Sequence, residues 1–170
     1  MTDVAALRAR LSANADAIAA LACGIADDQA RWKPAPEEWS ILEVVNHLHD
    51  EECEDFRVRL DLTLRTPHEA WPRIDPERWA VERGYNARDP AASLEAFVRE
   101  RQASLVFLGG LDQADWTSVH RHPEIGAITA GDLLTAWVAH DHLHVRQLSQ
   151  LHVQYLTRGS SPVALRYAGG

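Results

Sequence analysis

Thr129-Ala130-Gly131-Asp132-Leu133-Leu134-Thr135-Ala136-Trp137-Val138-Ala139-His140-Asp141-His142-Leu143-His144 carries the strongest helical pattern in the chain. At roughly 100° per residue, Leu133, Trp137, His140 and His144 share one helical face with Leu148, Leu151 and Tyr155. His142 points the opposite way. Thr129, with Asp132 three residues on, marks the start of this helix, and the pattern continues to about Tyr155. Two inward histidines at i and i+4 can present ring nitrogens to one ion. Burying two imidazoles among Leu and Trp is costly unless both are satisfied, and a metal does so while keeping them neutral. The plainer reading is a pair of core histidines bonded to other side chains. The residue after the first histidine is Asp141, so the zincin motif, which needs Glu there, is excluded. Asp141 lies at the edge of the inward face, where it can orient a ligand from outside or serve as a catalytic carboxylate.

Further ligands must come from elsewhere. Ser40 with Glu43 forms a capping box, opening a helix predicted to run to about Thr63. Its inward stripe is Ile41, Val44, Val45 and Leu48, flanked by His47 on one side and His49 on the other. Periodicity alone does not choose between them. Past Leu48 the inward positions become Glu51, Glu52 and Asp55, an unusual content for a core stripe. Glu51 falls one turn below His47, favouring a polar pocket there with Glu51 as an orienting group or base. If the helix turns outward at this point, the same carboxylates are merely solvated.

Two more helices complete the set. Residues 2–30 read as the first, capped by Thr2. Asp89-Pro90 opens the third, which ends near Gly109-Gly110. Long loops are predicted at 66–89, with room for a short helical turn, and at 111–128, with a bundle domain over 1–156 and an irregular tail over 157–170. No segment alternates over more than four residues, so no strand is predicted. Four long helices with two long connections predict an all-α four-helix bundle. Asp28-Gln29-Ala30-Arg31-Trp32 echoes Asp112-Gln113-Ala114-Asp115-Trp116, a hint of a duplicated helix pair.

With 170 residues, the chain is long enough for one well-filled core. Its net charge of −8, without a Lys/Arg cluster, disfavours nucleic acid and anionic membranes as partners. Cys23 and Cys53 are too few for a disulfide framework and read as buried, reduced thiols. No signal peptide or membrane-spanning run is present, which makes the cytoplasm the expected location.

Trp39-Ser40 leading a helix with His47-Leu48, then His140-x-x-x-His144-x-x-Gln147 on the last helix, resembles the DinB-like / YfiT-like superfamily. Trp32-x-Pro34 and Gly126-x-x-Thr129 extend the resemblance over most of the chain. It implies an up-down-down-up bundle, frequent homodimers, and one divalent ion, usually nickel or zinc, on His47, His140 and His144. His49, His142 and His120 do not match ligand positions. It also implies activity on a small-molecule substrate. Characterised relatives transfer low-molecular-weight thiols such as bacillithiol or mycothiol, or isomerise maleylpyruvate with a thiol cofactor, and others are classed as metal-dependent hydrolases.

Three imidazoles leave an open position on an ion, the arrangement of catalytic sites. Thiol transfer is the preferred expectation, on the resemblance alone. Hydrolysis of a small ester or amide, with Glu51 or Asp141 as acid or base, is the alternative. A non-catalytic metal-binding bundle is the third reading. Arg57, Arg59 and Arg146 are candidates for the mouth of a cofactor pocket. Trp71 and Trp79 either lid a pocket or pin the long loop, and His120 and His122 are placed near the open side of the ion without being assigned as ligands.

Overall fold

The computed structural model describes residues 3–169, apart from the side chains of 162–164. Eight helices are found there: α1 (Val4–Ala22), α2 (Asp27–Arg31), α3 (Ile41–Asp50), α4 (Phe56–Arg65), α5 (Pro76–Glu82), α6 (Pro90–Gly109), α7 (Ala130–Thr157) and α8 (Pro162–Tyr167). A π-helical turn, Glu51–Asp55, joins α3 to α4. The four bundle members are therefore α1, α3–α4, α6 and α7.

Hydrogen bonds give their directions. Asn14 donates to Asp141, and His152 meets the Leu21 carbonyl, so α1 and α7 run parallel. His47 meets His144 while Trp137 donates to Glu52, so α3–α4 runs against α7. Asn46 donates to Ser93 and Arg57 to Ser104, so α6 runs with α3–α4. The order is up-down-down-up, as expected.

Most helix starts follow local chemistry legible in the chain. Ser40 and Glu43 exchange the two bonds of a capping box, at 3.1 and 2.8 Å. Thr129 and Asp132 do the same for α7. Asp89 caps α6 ahead of Pro90. Thr2 lies outside the described residues, and Asp3 caps α1 through the Ala6 amide.

Several expectations need correction. The first helix does not reach residue 30. It stops at Ala22, and Gly24 turns the chain with φ +70°, a region open to Gly at little cost, before α2 begins. The second helix is not uniform. Its wide turn buries Glu51, Glu52 and Asp55, so these carboxylates are not the solvated groups of the alternative reading. Within the predicted 111–128 loop, β1 (Val119–His122) pairs antiparallel with β2 (Gly126–Thr129). A three-residue loop closes this hairpin, with Gly126 at φ +83° supplying the left-handed position such loops require. The helical turn allowed for in 66–89 is α5, whereas the tail, expected to be irregular, contains α8. Cys23 is exposed rather than buried, and Cys53 is half-buried.

Two apolar clusters fill the bundle. Leu11, Phe56, Leu60, Leu108, Leu134 and Trp137 pack one end. Ile18, Val44, Leu48, Phe97, Leu148 and Leu151 pack the other. Between them lies an ionic layer centred on Arg101, which is 1% exposed. Its guanidinium donates to Asp141 Oδ1 and Oδ2 at 2.7 Å each. It also donates twice to Glu52 Oε1, at 2.9 and 2.7 Å, and once to the Leu11 carbonyl at 2.9 Å. All five N–H donors of an arginine are thereby used.

Trp71 stacks on His120 at 4.2 Å, Arg59 lies over the same indole, and His120 Nδ1 meets the Pro67 carbonyl at 3.0 Å. These contacts pin the 66–75 loop to the hairpin. Replacing Arg101 with Met would leave two buried carboxylates without a counter-charge. Such losses cost about 3–5 kcal/mol, so the urea midpoint of Arg101→Met should fall far below wild type. An unchanged midpoint would show that the ionic layer is not needed for stability.

Candidate metal centre

α3 and α7 bring His47, His140 and His144 together. The capping boxes set the phase of both helices, and the Val44–Leu48 and Trp137–Leu148 stripes hold their inner faces against the core. The three Nε2 atoms form a triangle. His47 to His140 is 3.3 Å, His47 to His144 is 3.1 Å, and His140 to His144 is 3.1 Å. Nitrogens bonded to one tetrahedral ion at 2.0–2.1 Å stand about 3.3 Å apart. The donor set therefore fits one divalent metal ion.

The surroundings favour unprotonated Nε2 atoms. The His144 Nδ1–H donates to Gln147 Oε1 at 2.8 Å, which fixes the tautomer and turns Nε2 toward the other rings. Burial, with the neighbouring imidazoles, pushes His47 down to about 2. Burial, His144 and the Arg101 charge push His140 down to about 3. Burial lowers His144 as well. Trp39 packs on His47 at 4.8 Å and lies parallel to His144, while Phe56 packs on His140. A cleft of about 630 Å³ reaches His144 and Gln147 from the surface, bordered by Trp39, Lys33, Glu43 and the α5 residues Glu77 and Val81.

The two predicted carboxylates occupy different places. Glu51 Oε1 lies 3.7 Å from His47 Nδ1, behind the ring rather than at its Nε2. Both of these atoms are buried without a hydrogen-bond partner. Burial and the adjacent Asp55 raise the Glu51 carboxyl above the usual carboxylate range. Asp141 faces away from the three Nε2 atoms and is held by Arg101 and Asn14.

The remaining candidates are dispersed. Arg57 pairs with Glu100, Arg59 with Asp55, and Arg146 is exposed, so none borders the cleft at His144. His142 is exposed, while His120 and His122 gather around Trp71. His49 turns to the other side of α3, beside Cys53. Sequence reasoning passed over Arg101. Its signal was a charged residue in register with Phe97, Ser104 and Leu108 on one face of α6.

Residues 10–148 match the model of the DinB superfamily. The chain belongs to the DinB superfamily. A relative from Oceanobacillus iheyensis, named "Putative metal-dependent hydrolase OB0782", is 26% identical over 114 residues, covering 66% of this chain and 64% of that one. The chain thus spans a little under two thirds of that relative's length. Among solved structures, this DinB-superfamily chain is similar to YfiT from Bacillus subtilis, described as "a probable metal-dependent hydrolase with an unusual four-helix bundle topology". The TM-score is 0.79 at 20% identity, over 89% of this chain and 87% of YfiT.

The buried imidazoles give a pH prediction for the chelator-treated protein. An unfolded histidine titrates near 6.5. Below that pH the unfolded chain takes up protons that the folded rings refuse, so stability falls with pH. The Glu51–Asp55 pair has the opposite sign. It keeps a proton that an unfolded glutamate loses above about 4.5. Three imidazoles outweigh that shared proton between about pH 4.5 and 6.5. The urea midpoint should therefore be lower at about pH 5 than at about pH 7, and a midpoint that rises on acidification would contradict neutral burial of the rings.

Proposed function

We propose that this chain is a metal-dependent hydrolase of a small ester or amide, with His47, His140 and His144 holding one divalent ion. The observation that carries the reading is the triangle of Nε2 atoms, 3.1 to 3.3 Å on a side, inside an aromatic wall and beside a cleft open to solvent. The names of the two relatives point the same way. A bound divalent ion supplies Lewis acidity, which polarises a carbonyl oxygen and acidifies water.

The chain's own residues do the rest. Gln147 holds the proton of His144 at Nδ1 and keeps the ring aimed inward. Trp39 and Phe56 shield the imidazoles from bulk water, which strengthens every electrostatic contact inside. Glu51 lies behind the His47 ring at 3.7 Å, too far to hydrogen-bond to it, and Asp141 acts through the scaffold. The cleft admits the substrate past Lys33, whose ammonium is tied to Glu43 at 3.1 Å.

Transfer of a low-molecular-weight thiol is the second reading. One observation favours it: neither Glu51 nor Asp141 stands at the open side of the Nε2 triangle, where a hydrolytic base would act. A thiolate nucleophile needs no such base. The relatives' names do not mention this chemistry.

Three measurements test the proposal. Metal analysis of wild type beside His144→Ala should show a loss of about one equivalent per chain, and equal content would remove the metal centre. Ester and amide cleavage that needs metal but no thiol supports hydrolysis. Turnover that requires both metal and thiol overturns it in favour of transfer, and silence on both panels leaves a binding protein. Gln147→Ala should weaken metal affinity about 10- to 100-fold, the usual cost of losing an orienting partner, as read by competition with a chelating dye. Unchanged affinity would remove Gln147 from the site.

A further inference from the structure

We infer that the chain carries a second metal site, for a thiophilic divalent cation of the zinc class, formed by His49 Nε2, Cys53 Sγ and a carboxylate oxygen of Glu100. The three ligand atoms lie within 4.8 Å of one another, on the far side of α3 from the three-histidine centre. His49 Nε2 stands 3.7 Å from Cys53 Sγ. A nitrogen and a sulfur bonded to one tetrahedral zinc, at about 2.0 and 2.3 Å, are separated by about 3.6 Å. Two of the three donors are thus already spaced for a common ion, and Glu100 closes the set from α6.

Each outer ligand has a partner that orients it. His49 Nδ1 faces Asp50 Oδ1 at 2.8 Å, and Asp50 is fixed in turn by the Tyr85 hydroxyl and the Arg83 guanidinium. The proton belongs on Nδ1 in this arrangement, which leaves the Nε2 lone pair turned toward the sulfur. This carboxylate–imidazole pairing is the usual support of a metal-bound histidine. Arg57 donates to Glu100 Oε2 at 2.9 Å, and the Cys53 thiol is within hydrogen-bonding reach of the same carboxylate, so the sulfur and the carboxylate already face each other.

The backbone contributes too. His49 and Cys53 are four residues apart across the start of the wide turn. That turn presents Glu51 and Glu52 to the interior and Cys53 to the outer side, against α6. The side chains of His49 and Glu100 are 23% and 24% exposed, so an ion can enter and water can complete its coordination. Binding replaces the thiol S–H bond by a metal–sulfur bond and releases the proton to solvent. A sulfur ligand selects against magnesium and calcium, which take oxygen donors. No ligand is shared with the three-histidine centre, and this inference does not depend on the proposed hydrolysis.

The test uses the 170-residue chain with the exposed Cys23 changed to Ser, stripped with chelator and titrated with cadmium. The expected result is ultraviolet thiolate-to-cadmium charge-transfer absorption that saturates within about two equivalents, because the three-histidine centre also takes cadmium, and at about one equivalent in the His144→Ala background. Cys53→Ser should abolish it. His49→Gln and Glu100→Gln should each weaken it about tenfold or more, with circular dichroism confirming that each variant is folded. His144→Ala should leave it intact, which separates this site from the first. Absence of the absorption overturns the inference. So does absorption of equal affinity in the His49 and Glu100 variants, because the thiol would then bind cadmium without the cluster.

Discussion

A single guanidinium, buried where the four bundle helices meet, determines how they are clocked against one another. Arg101 on α6 reaches Glu52 on the second bundle helix, Asp141 on α7 and the Leu11 carbonyl on α1. Trp137 and Asn14 add donors to the same two carboxylates. Hydrophobic contact alone tolerates small rotations of a helix. Five directed bonds to three neighbours do not, because any rotation leaves a charge stranded in a dry interior. Asp141 adjoins His140 in sequence, and Glu52 is five residues past His47. The bonds that satisfy Arg101 therefore fix the rotation of the two helices that carry the imidazoles.

This coupling explains an odd distribution of polarity. A bundle of this size could be filled with aliphatic side chains at less electrostatic cost. Here the ionic layer separates two apolar clusters and lies beside the Nε2 triangle, and the positive charge on Arg101 helps keep His140 unprotonated. The link between the core layer and the three-histidine centre is thus electrostatic rather than a chain of hydrogen bonds. The imidazoles sit where α3 meets α7, and the ionic layer ties that seam to α6 and α1.

Much of this was legible in the chain. Caps at Ser40, Thr129 and Asp89 located helix starts because side-chain oxygens there meet orphan amides only a few residues away. The i, i+4 histidines on the Leu133–Tyr155 face pointed to a buried polar site for the same local reason. Periodicity could not decide between His47 and His49, since both flank the stripe by similar angles. The choice rests on where α7 packs, which is a tertiary fact. The hairpin escaped notice because its strands are four residues each, too short for alternation to stand out. The wide turn escaped because nothing in Glu51-Glu52-Cys53-Glu54-Asp55 signals a different hydrogen-bond step. It is the set of partners around those carboxylates that accommodates it. The inward acids were noticed, but Arg101, some fifty residues away, had no local mark beyond its place in an apolar stripe.

The π-helical turn has a consequence for how this architecture can vary. It adds one residue to what would be a single continuous helix, so α3 and α4 need not share a rotational phase. Upstream, Val44, Val45 and Leu48 face their own cluster; downstream, Phe56 and Leu60 face another. The extra residue works as a differential between two shafts, so the His47 half and the Phe56 half each mesh with their own cluster without sharing one phase. Excising it would force both halves onto one gear, and the imidazole of His47 could then meet its neighbours only if the lower core were repacked.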